Sequence, residues 1–342
     1  MKQADKRKLP YPLLMIILAG ILFALMFVAF FLGQYQLSPT QVVNILLSRI
    51  FPIEPTWGPV AEVILFQIRL PRIAAAILIG AALATAGATY QGIFRNPMVS
   101  PDFLGVSSGA SIGAALAIIL NLSFNMVQLF AFVFGIAAVL ITTSIPKMLR
   151  NSSTTILILS GIVVSGIFSS IMSIIRYVAD PDTALPAIVF WQMGSLSGVR
   201  YGEVMAVSLP MIISLIALIG ISWWINVMSL GETQSALVGV DFKLYRCIAI
   251  VASTMLAVLS VAIAGTIGWV GIAMPHLSRM LVGVDNRKLI PACCLTGAIF
   301  MLIVDTVARN LTRAEIPLGV LTGLIGAPFF IALIYKQRAR IE

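Results

Sequence analysis

Residues 72–101 read RIAAAILIGAALATAGATYQGIFRNPMVSP, and two properties of this stretch decide the fold. The run from Ile73 to Ile93 carries no charge, and about 20 predominantly apolar residues are what an α-helix needs to cross the hydrocarbon core of a bilayer. The same 30-residue pattern can be laid over residues 246–275, RCIAIVASTMLAVLSVAIAGTIGWVGIAMP. Each copy begins with Arg, passes through small apolar residues to a Gly-rich break, and reaches Pro101 or Pro275 before a short helix. The two copies are expected to cross the membrane in opposite directions, as in the inverted repeats of transporters.

The rest of the chain extends this reading. Sixty per cent of the 342 residues are hydrophobic, 10% are charged, and the mean hydropathy is +1.04, which no water-soluble surface can carry. Ten apolar runs are expected to span, at residues 11–33, 73–93, 103–121, 126–146, 155–176, 204–224, 246–264, 268–283, 289–306 and 317–335. The fold class is therefore an all-α polytopic membrane protein, a single transmembrane domain over 1–342 with repeat halves near 66–176 and 243–336.

Lys2, Lys6, Arg7 and Lys8 precede a first run too long for a signal peptide, so it is read as a retained helix with its N-terminus inside. Ten spans then place most Lys and Arg residues on the cytoplasmic side, together with both termini. Arg49, Arg69, Arg72, Arg176, Arg200, Arg309 and Arg313 remain outside, mixed with acidic residues. The net charge of +9 needs no nucleic acid, because basic loops beside anionic lipid headgroups account for it. Cys247, Cys293 and Cys294 have no metal-ligand spacing and are expected to act as small buried hydrophobes.

Outside the spans, Ser38-Pro39-Thr40-Gln41 has the form of a capping box opening a short amphipathic helix. ADPDTALPAIVFWQMGSLSGVRYGE is expected to hold a short interfacial helix, and SLGETQSALVGVDFKLYR has the shape of a cytoplasmic docking element. The chain has no phosphate loop or HExxH motif, and it is expected to carry no catalytic or metal site and to need no cofactor of its own. Asp305 is the one acid inside an expected span, four residues before Arg309, and is read as half of an ion pair at a helix end. Gly105, Gly109 and Gly113, and again Gly319 and Gly323, recur at the spacing that lets helix backbones approach. Gly161, Ser165, Ser169 and Ser173 share one face of the fifth span, joined by Met172. That face reads equally as a weakly polar wall of a translocation path and as tight helix packing.

Five segments in order carry a resemblance: IRLPRIAAAILIGAALATAGATYQGIFRNPMVSPDFLGVSSGASIG, FWQMGSLSG, LGETQSALVGVD, GWVGIAMPHLSRMLVGVDNRKLIP and EIPLGVLTGLIGAPFFIALI. They are similar to the FecCD/BtuC-type permease subunits of type II ABC importers for iron(III)-siderophores, haem and vitamin B12. The resemblance implies a cell-membrane permease that pairs with a second copy, two cytoplasmic ATPase subunits and an extracytoplasmic substrate-binding protein. It implies docking of the binding protein at Arg69, Arg72 and Arg309. It implies ATPase coupling through Leu230, Gly231, Glu232, Thr233, Leu237, Gly239 and Asp241, with Ser235 and Val238 departing from the usual Ala and Leu. It aligns a cytoplasmic gate with Thr154 and Thr155. The cargo it implies is a metal chelate, with molybdate or tungstate as the alternative; an ion-coupled carrier and a passive channel are the rival classes. His276, the single histidine, follows Pro275 and is expected to satisfy a carbonyl that Pro275 frees.

Overall fold

A computed structural model describes residues 9–150, 153–231, 235, 237, 241–312 and 314–338. Its architecture among these residues is helical throughout. In chain order the helices are α1 (Tyr11–Phe31), α2 (Pro39–Leu47), α3 (Pro59–Val63), α4 (Leu70–Phe94), α5 (Val106–Ile119), α6 (Phe124–Met148), α7 (Thr154–Val178), α8 (Ala184–Met193), α9 (Tyr201–Gly220), α10 (Ser222–Met228), α11 (Phe242–Ala264), α12 (Val270–Val282), α13 (Asn286–Leu311) and α14 (Leu318–Arg338). A π-helical segment, Ile64–Arg69, joins α3 to α4, and a 3-10 turn, Pro101–Leu104, precedes α5.

Each expected span has a helix. Seven are long and apolar enough to cross a membrane among the described residues: α1, the continuous α3–α4 rod, α6, α7, α9, α11 and α13. The expected spans at 103–121 and 268–283 are shorter, because α5 has 14 residues and α12 has 13. Both begin after an irregular stretch at membrane depth. Helix α8 is the short helix expected between the fifth and sixth spans. Ser38 accepts from the Gln41 amide at 3.2 Å while Gln41 Oε1 accepts from the Ser38 amide at 3.1 Å, so the capping box forms as written.

Helix α4 is the hub, buried over almost its whole length and packed against α13, α11, α12 and α9. Its run of Ala and Gly explains why. A Cβ on Gly80 would overlap the Gly297 carbonyl oxygen of α13, and one on Gly297 would overlap that of Gly80. Half a helix further on, a Cβ on Gly87 would overlap the Gly271 carbonyl oxygen of α12. Where lipid supplies no hydrophobic drive for association, this backbone-to-backbone proximity is the source of van der Waals contact. Gly109 and Gly113 do the same for α5 on Phe134 and Phe130 of α6. Conversely, α6, α7 and α9 turn Leu140, Ile162, Leu209 and Ile216 outward, the composition suited to hydrocarbon.

The structure revises the repeat alignment at its end. Pro101 opens the 3-10 turn before α5, whereas Pro275 lies inside α12 and the second break is Gly265–Trp269. Trp269 occupies it with a positive φ of 68°. The cysteines meet the expectation of burial only in part. Cys293 is buried and Cys294 half-buried, but Cys247 is exposed on α11.

Gly297→Leu or Gly87→Leu is expected to separate α4 from its neighbours, costing about 3 kcal/mol or abolishing accumulation in the membrane. Gly20→Leu on α1, where a Cβ meets nothing within 4 Å, is the control expected to leave the melting temperature of the purified protein unchanged.

Candidate functional site

The two breaks face each other. Pro101 packs on Gly271, and the side chain of Gln91 on α4 donates from Nε2 to Val99 O at 3.2 Å and to Gly271 O at 3.1 Å. Gly271 O is the carbonyl that Pro275 frees by having no amide hydrogen to return to it. Gln91, not His276, therefore satisfies it. His276 instead lies half-buried beside a cleft shared with Arg95, Asn226, Arg279 and Asp285.

Above the breaks is a chamber of about 440 Å³. Its wall takes Asp102 from the 3-10 turn, Ser107, Ser108 and Ser111 from α5, Ser169, Met172, Ser173 and Arg176 from α7, Gln192 from α8, and Thr266–Gly268 from the second break. Irregular backbone at membrane depth is tolerated where it lines such a cavity, which is why the polar residues gather here. The charged members are engaged locally: Ser107 donates to Asp102, and Arg176 donates to Gln192 Oε1. What remains toward the space is hydroxyl, the Met172 thioether and the apolar side chains of Phe168 and Ile267. Sequence reasoning missed Asp102, Ser107 and Gln192, although the first two lie in the PDFLGVSSG segment it had set apart.

The face of α7 singled out in the sequence divides in two. Gly161 is buried, and a Cβ there would overlap the Phe103 carbonyl oxygen, while Ser165 is half-buried near Gly105. Ser169 and Ser173 are open to the chamber and Met172 is buried against its wall. The Gly161 end of that face is packed, and the Ser169 end is open to the chamber.

The three arginines expected to face a binding protein are turned inward. Arg69 is 3% exposed and donates to Phe30 O and Tyr35 O and, at 3.2 Å, to Phe31 O. Arg72 donates from Nε to Asp305 Oδ1 at 2.8 Å and from Nη1 to Glu315 at 2.8 Å. Arg309 donates to Ala29 O at 2.7 Å and stands 3.7 Å from Asp305. Asp305, fully buried, thus joins α4 to α13, a larger role than an ion pair along one helix. Guanidinium groups held this way are anchors for the ends of α1, α4 and α13, whereas Arg49, Arg176 and Arg200 are exposed, Arg49 paired with Glu62.

At the opposite end, Leu230 and Leu237 are exposed, as a docking surface requires. Ser235 is buried, and its hydroxyl donates to Val227 O at 3.0 Å and Gly231 O at 2.7 Å, so the departure from Ala adds a hydrogen bond inside the element. Gly231 has a φ of 110°, open to glycine. Asp241 caps α11 through the Lys243 and Leu244 amides, both at 3.1 Å. Glu232, Thr233, Val238 and Gly239 lie outside the described residues, as does the side chain of Thr154. Thr155 is exposed one residue into α7, whose cap is Ser153, accepting from the Ile156 amide at 3.3 Å. Nearby, Asp285 caps α13 and its carboxyl is held down at about 2 by the Arg287 guanidinium, helped by Asn226. A depressed carboxylate stabilises the turn above its ordinary pKa of about 4 and ceases to do so only as pH falls toward 2.

Comparison with known proteins supplies the context. Residues 21–336 match the model of the FecCD transport family. The molybdate import system permease protein of Haemophilus influenzae is 39% identical over 328 residues, covering 96% of this chain and 97% of that one. A probable iron chelatin transport system permease protein of Helicobacter pylori is 38% identical over 277 residues, covering 81% and 84%. A solved structure of a metal-chelate type ABC transporter in an inward-facing conformation superposes with a TM-score of 0.85 at 38% identity, covering 95% of this chain and 99% of that one.

Asp305→Leu alone is expected to cost about 3–5 kcal/mol, because Arg309 is then buried without its carboxylate and Arg72 keeps only Glu315. Adding Arg72→Met should return part of that loss in a thermal-unfolding double-mutant cycle, with a coupling of about 1 kcal/mol or more.

Proposed function

The chain belongs to the FecCD transport family and is a permease subunit of an ABC importer, and from that premise we propose that two copies form the translocation path for a metal chelate. The observation that carries the reading is the chamber between the two broken helices. It is lined mainly by hydroxyls, with Met172, Phe168 and Ile267, and its carboxylate and guanidinium are each hydrogen-bonded to a neighbouring side chain. A cargo handed over by a binding protein needs passage, and a wall with few charged groups holds it weakly.

In this scheme an extracytoplasmic binding protein delivers the chelate to the α8 end of the bundle. There the Gly194 carbonyl accepts from the Leu318 amide at 2.8 Å and the Ala264 carbonyl accepts from the Ser195 amide at 2.8 Å. These bonds link α8, the second break and the start of α14, so movement of one displaces the others. Two ATPase subunits engage the Leu230–Asp241 segment on the cytoplasmic face, where both chain termini also lie. Nucleotide binding tilts α7 and α14 against the second copy, and Thr154 and Thr155 close the inner end. The recurrence of a long helix, a break and a short helix in α4–α5 and α11–α12 supports this symmetric rocking.

A second reading of the cargo is molybdate or tungstate. It is supported by the near full-length similarity to the Haemophilus influenzae molybdate permease and by Arg176 at the chamber wall. The two cargoes differ in size and charge, so the neighbouring binding protein decides between them.

Proteoliposomes holding the permease, its ATPase subunits and its binding protein should take up a ferric chelate only with ATP and only with all three components. Uptake by the permease alone under a proton gradient would return the function to a secondary carrier. Calorimetry of the binding protein against ferric siderophores, haem, cobalamin, molybdate and tungstate should show binding of a chelate; binding confined to the oxyanions would replace the chelate reading.

A further inference from the structure

Helices α6 and α11 part toward one end of the bundle and leave a groove of about 510 Å³ that belongs neither to the chamber nor to the arginine cluster. Its walls are apolar, from Val139 and Leu140 on α6 to Ile250, Val251 and Met255 on α11. Its mouth is basic. Lys147 stands in the last turn of α6, Lys243 in the first turn of α11, and Arg246 one turn further in, over the Phe242 ring at 5.9 Å. Both lysines are exposed. No acidic side chain lines the groove among the described residues, and Asp241, next to Phe242 in the chain, is engaged by the Lys243 and Leu244 amides.

We propose that this groove is a binding site for an anionic phospholipid of the leaflet at the α6–α11 end, with an acyl chain between the helices and the phosphate at Lys147, Lys243 and Arg246. Bulk lipid fills any apolar slot in a bilayer, so the apolar wall alone selects nothing. Selection comes from cations fixed at headgroup depth above that wall, where each attracts an anionic headgroup and the long lysine stems reach the interface. The size is that of a ligand pocket, which runs at about 300–1,000 Å³. A second permease copy fits worse. A two-fold contact centred here would set Lys147 and Lys243 of one copy against the same residues of the other. The site lies at the end of α11 that carries the Asp241 cap, so an occupied groove would hold that end of the coupling segment.

The test uses the purified full-length permease and lipids of identical acyl chains. In native mass spectrometry, phosphatidylglycerol should be retained about tenfold or more over phosphatidylcholine, as two or three cations beside an anionic headgroup warrant. Lys147→Gln with Lys243→Gln should bring that ratio close to one without changing the melting temperature. Cys247 lines the groove and is exposed, whereas Cys293 is buried, so maleimide labelling at Cys247 reports occupancy. Phosphatidylglycerol should slow labelling, and neither phosphatidylcholine nor inorganic phosphate should. Equal retention of the two lipids, or a ratio unchanged in the double variant, would overturn the proposal. Slowing by inorganic phosphate alone would make this a free-anion site, and slowing that follows dimerisation whatever the lipid would make the second copy the occupant.

Discussion

Everything in this bundle depends on α4 being allowed to touch its neighbours backbone to backbone. Gly80 meets Gly297 of α13 and Gly87 meets Gly271 of α12, with no side chain between them. In water such crossings would be one packing choice among many, because burial of apolar surface rewards contact of almost any shape. In lipid the tails are as apolar as the side chains, so only close fit distinguishes one helix arrangement from another. The crossing at Gly271 has a second effect: it brings the start of α12 against Pro101 and so sets the two helix breaks side by side.

From that juxtaposition the polar interior follows. Backbone carbonyls left open inside the membrane must find partners, and Gln91 supplies one to the first break through Val99 O and one to α12, just past the second break, through Gly271 O. The remaining polar groups of the breaks open into the chamber, where Ser107, Ser169, Ser173 and Thr266 join them. A chamber made this way is a by-product of satisfying backbone. It needs no ligand-shaped site, which suits a subunit whose relatives are named for cargoes as different as molybdate and iron chelatin.

The arginines show how far side-chain roles are legible in a sequence. Arg69, Arg72 and Arg309 stand out because the topology expected from the sequence puts them on the side where the positive-inside rule expects few cations. That much was readable, and so was the Asp305–Arg309 spacing. Nothing in the spacing of Arg72 and Asp305, 233 residues apart, reveals that they meet at 2.8 Å, or that Phe30, Phe31 and Tyr35 carbonyls wrap Arg69. A guanidinium fork suits an intrachain carboxylate as well as one on a partner protein, so residue type alone does not choose between them.

The sequence by itself determined the class, the positions of the helices, the small-residue stripes and the family. These follow from composition and from period, because a spanning helix must be apolar over a fixed length and a close crossing must be small at every fourth residue. Only the tertiary structure decided which carbonyl Pro275 leaves open and that Gln91 answers it, that the α7 face packs at Gly161 and opens at Ser169, and that Arg72 is buried on Asp305. Those outcomes join residues distant in the chain. A pairing of that kind is fixed by how the helices cross, and the crossing is a property of the packed bundle that no local stretch contains.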